Sequence, residues 1–183
     1  MLSLILTALI SLAPAEEFKA QDYCPLVSVI TFESVDSTIK CLKTNKKKKI
    51  IVVSPGGMMD AGEILIKYVN KNNITVLCVQ CHSMAAFLWL NADKKELGEG
   101  ASLMVHYGFI MVEEMSRFTI KELRDLADSL ESHAESFLQC LKPETRQYFI
   151  TMMKRGDYFF GQSVIDLHEI KYTLINKPKQ VEQ

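Results

Sequence analysis

Excess charge of either sign is missing from this sequence. Twenty-one Lys and Arg stand against 22 Asp and Glu, for a formal net charge of −1. Without massed cations the chain shows no electrostatic footprint for nucleic acid, so no nucleic-acid partner is expected. The one basic run, Lys46 to Lys49, reads as a solvated loop before a strand. Proline and glycine are sparse, at five and eight, and no repeat or Pro/Gly-rich linker divides residues 16–175. Apolar residues at 48% and charged ones at 23% exclude a disordered chain and leave a single globular domain. Also lacking is an apolar run long enough to cross the roughly 30 Å core of a bilayer as a helix.

The longest such run, Leu2 to Leu12, lies in a segment, residues 1–15, that carries no charged side chain. Ala13-Pro14-Ala15 places small residues where a signal peptidase reads, just before Glu16 and Glu17. Residues 1–15 are therefore read as a signal peptide, 16–175 as the domain and 176–183 as a solvated tail. That reading exports the protein to a periplasm or the exterior. Uncleaved, the segment would anchor it to a membrane; as a buried strand or helix it would leave the chain cytoplasmic.

Five cysteines, at 24, 41, 78, 81 and 140, leave at least one thiol over if others pair. Cys78-Val79-Gln80-Cys81 has the spacing of a redox pair or of half a zinc site, but no second Cys or His pair follows at ligand spacing. No metal or cofactor is expected, and Cys78 reads as a core residue.

The apolar pattern alternates between strand and helix. Strands are expected at Val27–Phe32, Lys49–Val53, Ile74–Val79 and Ser102–His106, and helices at Val35–Leu42 and Met84–Asn91. A further helix follows Gly57, with Ala61, Ile64, Leu65 and Val69 on its apolar face. Thr119-Ile120-Lys121-Glu122 fits a capping box opening a long helix. Ile120, Leu123, Leu126, Leu130, Phe137 and Leu141 make its apolar stripe, Pro143 ends it, and Glu144–Lys154 forms another helical stretch. Such alternation argues for an α/β domain on a mainly parallel sheet.

Two strand-to-helix turns carry chemistry. In Ser54-Pro55-Gly56-Gly57-Met58 the glycines permit positive φ and close approach, and free N–H groups at a helix start favour an anion. The turn lacks the Gly-Lys-Ser/Thr of a phosphate-binding loop, and could equally serve tight packing. In Cys81-His82-Ser83-Met84-Ala85-Ala86, Ser83 stands where a helix dipole assists a nucleophile, or where it would simply cap the helix. His106 closes the next strand, and the carboxyl ends of parallel strands share one edge, so Ser83 and His106 are expected to converge.

Four separated pieces, in order, resemble the Clp protease proteolytic subunit family of the Clp protease/crotonase superfamily. They are Ser54-Pro55-Gly56-Gly57 with Ala61-Gly62 after it, Ser83-Met84-Ala85-Ala86-Phe87-Leu88, Leu103-Met104-Val105-His106, and Arg155-Gly156-Asp157-Tyr158-Phe159. The resemblance covers roughly residues 25–175. It implies an α/β fold of repeated ββα and βαβ units with a long protruding handle helix over residues 119–154. It implies a serine peptidase acting on peptides or unfolded chains through an acyl-enzyme. Ser83 would be the nucleophile, His106 the general base and Asp157 its orienting carboxylate. Backbone N–H groups of Gly57 and Met84 would form the oxyanion hole. A homo-oligomeric ring, stacked through the long helix, is implied as well.

The sequence also departs from the family. Cys81-His82 precedes the nucleophile where small residues are usual, with His82 expected to pack away from the site, and Tyr107-Gly108 replaces Gln-Pro. Only 38 residues separate Glu16 from Ser54, too few for the family's axial hairpin as well as a first βαβ unit. This argues against an AAA+ unfoldase partner and for ATP-independent cleavage. The rival readings are a signal-peptide-peptidase-like Ser/Lys protease, a crotonase-like acyl-CoA enzyme and a non-catalytic scaffold of the same fold. His133 reads as a surface residue and His168 as structural.

Overall fold

Short apolar runs broken by Gly, Pro and Asn assemble here into one sheet covered by helices. The computed structural model describes residues 16–17, 19–108 and 119–176; the expected signal segment and residues 177–183 of the tail lie outside them. The strands are β1 (Glu16–Glu17), β2 (Tyr23–Leu26), β3 (Lys49–Ser54), β4 (Thr75–His82), β5 (Lys94–Val105), β6 (Tyr158–Phe160) and β7 (Thr173–Asn176). The helices are α1 (Phe32–Asn45), α2 (Met59–Lys71), α3 (Met84–Asn91), α4 (Ile120–Ser136), α5 (Pro143–Met153) and α6 (Gln162–Leu167). The sheet order is β1-β7-β5-β4-β3-β2, with β6 paired to β5. Every pair is parallel except β5 with β6. The expected α/β fold on a mainly parallel sheet is thus observed.

Strand β5 is long because it serves several neighbours. Thr75–Cys78 and Gln80–His82 of β4 pair along one edge. On the other edge, its first half pairs with β7 and its last three residues with β6. This brings Tyr158–Phe160, directly after Asp157, beside the end of the strand that leads to His106. Alternate residues of β3 (Ile50, Val52 and Ser54) are buried and those between them half-buried, while β4 is buried over Val76–Cys78 and exposed at Val79 and Gln80. In α2, Ala61, Leu65 and Val69 are all fully buried, each larger side chain contributing roughly 1.5–3 kcal/mol of burial. Ile64, expected on the same face, is 47% exposed.

The first expected strand is displaced. Val27–Phe32 is β-branched, but the ladder to β3 uses Tyr23–Leu26 instead, and Phe32 opens α1 with Thr31 and Ser34 forming its capping box. From Val27 to Phe32 only Ile30 returns to the sheet, in a lone bridge to Gly57. Val27 and Val29 stay exposed. Partner geometry, which propensity does not contain, chose the register.

The long helix also ends earlier than expected. Thr119 and Glu122 form the expected capping box, but α4 stops at Ser136 and continues as a 3₁₀ turn over Phe137–Cys140. Pro143 is the first residue of α5, a place where its missing N–H costs nothing. Of the expected stripe, Phe137 and Leu141 enter the core while Ile120 is 70% exposed. Leu123, Leu126 and Leu130 are half-buried.

Four of the five cysteines pair, and one pair has the Cys-x-x-Cys spacing seen in the sequence. Cys24 on β2 is bonded to Cys41 on α1, and Cys78 to Cys81 within β4. In a regular strand, positions three apart face opposite sides. Here the register slips at Val79, so Val52 and Val53 pair with Cys78 and Gln80. The bulge turns Cys78 and Cys81 to the same buried face. Cys140 is the free thiol.

Candidate functional site

Strand β4 ends at His82, and Ser83 turns the chain into α3 with φ 53° and ψ −125°. A positive φ on a residue bearing a Cβ is strained and persists only where its surroundings enforce it. Here the Ser83 N–H is tied to the Met104 carbonyl at 2.8 Å, while its own carbonyl accepts from Ala86 and Phe87. The hydroxyl makes no capping bond to its helix. Instead, Ser83 Oγ lies 2.8 Å from His106 Nε2. The bland alternative, a serine spent on capping α3, is therefore not what this side chain does.

His106 follows the last residue of β5, and its side chain is 13% exposed. Its other nitrogen, Nδ1, lies 3.5 Å from Asp157 Oδ1, and the Asp157 side chain is 62% exposed. Asp157 sits between Gly156, whose φ is 126°, and β6. The antiparallel ladder of Met104 and Val105 with Phe159 and Tyr158 fixes where that carboxylate stands. Behind it, Tyr148 and Tyr158 share a hydrogen bond at 2.6 Å between their hydroxyls. Burial and this bond push the Tyr158 phenol up to about 12, so it stays protonated.

The glycine turn packs directly under Ser83. Gly56 has φ 100° and Gly57 φ 148°. A Cβ on Gly56 would strike Ser83 Cβ and the His82 carbonyl, and one on Gly57 would strike the Ile30 backbone. Ile30 donates to the Gly56 carbonyl at 2.7 Å and accepts from the Met58 N–H at 2.8 Å. That parallel bridge directs Gly57's own N–H away from Ile30. Met84 is the first residue of α3, where N–H groups have no partner within the helix. Buried Ser54 accepts from the Gly56 N–H at 3.1 Å, a turn-holding role that the motif alone did not reveal.

These groups open onto one cavity of about 610 Å³. Ser83, His106, Asp157, Gly57 and Met84 all line it, so the five expected site residues are brought together. The rest of its wall is largely apolar, including Met59, Phe87, Leu130 and Ala134, and no lysine appears among the described residues that line it. Two of those wall residues belong to α4, and Tyr107 fastens α4 to the site: its hydroxyl donates to Glu135 Oε1 at 2.8 Å. Burial and the neighbouring carboxylate push that phenol up, well beyond the ordinary tyrosine range. Tyr107, a departure from the family pattern, makes this contact with a residue 28 positions away, which no local pattern reveals.

The remaining histidines stand apart. His82 points away from the cavity, as expected: its Nε2 is 3.3 Å from Ser102 Oγ and its ring meets Phe159 edge-on. Burial lowers its pKa. His133 is half-buried rather than a free surface group, and stacks on Phe137. His168 packs against Tyr148 and Phe149. No cluster of metal-ligating side chains occurs among the described residues.

Comparison with known proteins identifies the family of the chain. The Clp protease family matches residues 27–162, which span the glycine turn, Ser83, His106 and Asp157. No curated protein matches the chain.

Proposed function

Since the chain belongs to the Clp protease family, we propose that it is a serine peptidase using a Ser83–His106–Asp157 triad to cleave peptides or unfolded polypeptides. One observation carries the reading: an uncapped, strained Ser83 whose Oγ is 2.8 Å from the imidazole of His106. His106 takes the Ser83 proton as Oγ attacks the scissile carbonyl, then returns it to the leaving amine. Asp157 orients the ring and stabilises its charged form. The N–H groups of Gly57 and Met84 receive the oxyanion, each worth about 10²–10³ in rate. Water then hydrolyses the acyl-enzyme.

The proposed reaction itself consumes no ATP, since acyl transfer to Ser83 and hydrolysis by water need no further co-reactant. The Cys24–Cys41 disulfide supports export to an oxidising compartment. Half-buried Leu123 and Leu126 on α4 support assembly into a homo-oligomeric ring through that helix; a monomer mass at micromolar concentration would count against it.

The test is a fluorophosphonate probe on the purified protein, read by intact mass. One adduct on the parent, absent from Ser83→Ala and His106→Ala, is the expected result. Labelling that survives His106→Ala would point to a Ser/Lys mechanism. No labelling of the assembled protein would point to a scaffold.

A further inference from the structure

The parallel sheet has two edges, and the site occupies only the one where the strands end. At the other, where they begin, lysines gather. Lys46, Lys47, Lys48 and Lys49 lead into β3, Lys71 closes α2 just before β4, Lys94 and Lys95 open β5, and Lys171 precedes β7. The ladders place them side by side: Lys49 pairs with Thr75 and Thr75 with Lys94. Eight of the chain's cations thus share one edge of a protein whose net charge is −1.

The carboxylates near these strand starts are Asp22, Asp93 and Glu96, and β1 itself consists of Glu16 and Glu17. Glu96 is buried and already holds Lys49 and the Tyr23 hydroxyl, each at 2.6 Å. Glu169, nearby in sequence to Lys171, is held by Lys142. Helix C-termini also end here, and Lys71 serves that of α2. Lys46 is likewise the C-cap of α1, whereas Lys94 and Lys171 are exposed and close no helix. Between the starts of β4, β5 and β7 lies a cleft of about 330 Å³ edged by Lys94, Lys95 and Lys171 and also by the carboxylates Asp93 and Glu96.

A second, independent feature points at the same edge. Strand β1 runs parallel to β7, with Glu16 opposite Ile175, so the chain enters β1 from the lysine side. What precedes Glu16 in the sequence is the uncharged, apolar stretch of residues 1–15. Retained uncleaved, that apolar stretch together with a basic surface would supply the two signals that stable membrane attachment requires.

We propose that the lysine edge is a docking surface for an anionic bilayer, turning the Ser83 edge away from the membrane. Strand β4 has eight residues, which puts the site about 25 Å from the lipid, at ~3.3 Å per residue. Each lysine near such a surface is worth roughly fivefold in binding, through attraction that salt screens.

The experiment is cosedimentation of the full chain with vesicles of phosphatidylcholine alone and with about 30% phosphatidylserine, a physiological order of anionic content. The parent should partition onto the anionic vesicles far more strongly, and the preference should fade with salt. Lys46→Gln, Lys94→Gln and Lys171→Gln together should weaken that binding roughly 100-fold with the thermal midpoint unchanged. Neutralising Lys67, Lys121 and Arg124 on α2 and α4 should leave it intact. Equal binding to both vesicles, an edge variant that binds like the parent, or an equal loss in the α2 and α4 variant would each overturn the proposal. So would duplex DNA that displaces the protein from vesicles at matched phosphate concentration, which would make the edge a general polyanion site.

Discussion

Ser83 and His106, 23 positions apart, meet at 2.8 Å between Oγ and Nε2 because two parallel strands end in step. His82 pairs with Met104, and the Ser83 N–H donates to the Met104 carbonyl. The next side chains off each strand then face one another. Moving either strand by one residue would turn His106 to the opposite face of the sheet.

The link from His106 to Asp157 is looser than the one to Ser83, at 3.5 Å with the carboxylate largely in solvent. Solvent already shields much of the charge Asp157 supplies. Asp157→Asn should therefore lower kcat on a fluorogenic peptide by about 10²–10³, less than the roughly 10⁴ seen for a buried triad carboxylate. A loss as large as that of Ser83→Ala would show that Asp157 closes onto His106 when substrate binds.

Gly56 touches the proposed nucleophile with no room for a methyl group. Gly56→Ala should abolish fluorophosphonate labelling and lower the thermal midpoint. Ser54→Ala removes the acceptor of the buried Gly56 N–H and should cost about 1–3 kcal/mol, measured by urea titration. Unchanged stability in Ser54→Ala would mean that another acceptor replaces the hydroxyl.

The disulfide between Cys24 and Cys41 closes a loop of 17 residues and pins α1 to the edge strand β2. Its loss in Cys24→Ser with Cys41→Ser should destabilise the fold by about 3 kcal/mol. Denaturant melts of parent and variant, run with and without reductant, check this; a parent insensitive to reductant would contradict it.

His82 gives the fold a pH dependence of known sign. Burial lowers its pKa below the ordinary imidazole value of about 6.5, so the folded state favours the neutral ring more than the unfolded state does. The stability this contributes is complete above about pH 6.5 and is lost as pH falls through the depressed folded value. Thermal midpoints should drop below pH 6.5 in the parent, and less steeply in His82→Gln. Parallel curves would exclude His82 as the source.

How much could be read beforehand varied by element. Helix α3 matched at both ends, because an all-apolar run flanked by Ser83 and Asn91 permits few alternatives. The capping box at Thr119 was equally local, since both its partners lie within four residues. Val27–Phe32 is not the strand its β-branched residues suggest, because β3 takes Tyr23–Leu26 as its partner. Helix α4 ends before the apolar stripe does, because Phe137 and Leu138 leave it in a 3₁₀ turn and are buried.

Chemistry divided along the same line. Residue order alone set which types could serve, a serine and a histidine at successive strand ends, paired glycines at the preceding turn, and the Asp157 segment. It also determined the local turns, since glycine conformations and caps depend on near neighbours. Only the tertiary structure decided that Ser83 is not a cap, that Tyr107 reaches Glu135, that Cys78 and Cys81 share a face, and that a nearly neutral chain presents a lysine edge. Each is a distance or direction between segments far apart in sequence. Those are set by strand register and packing, which no single stretch of the chain encodes.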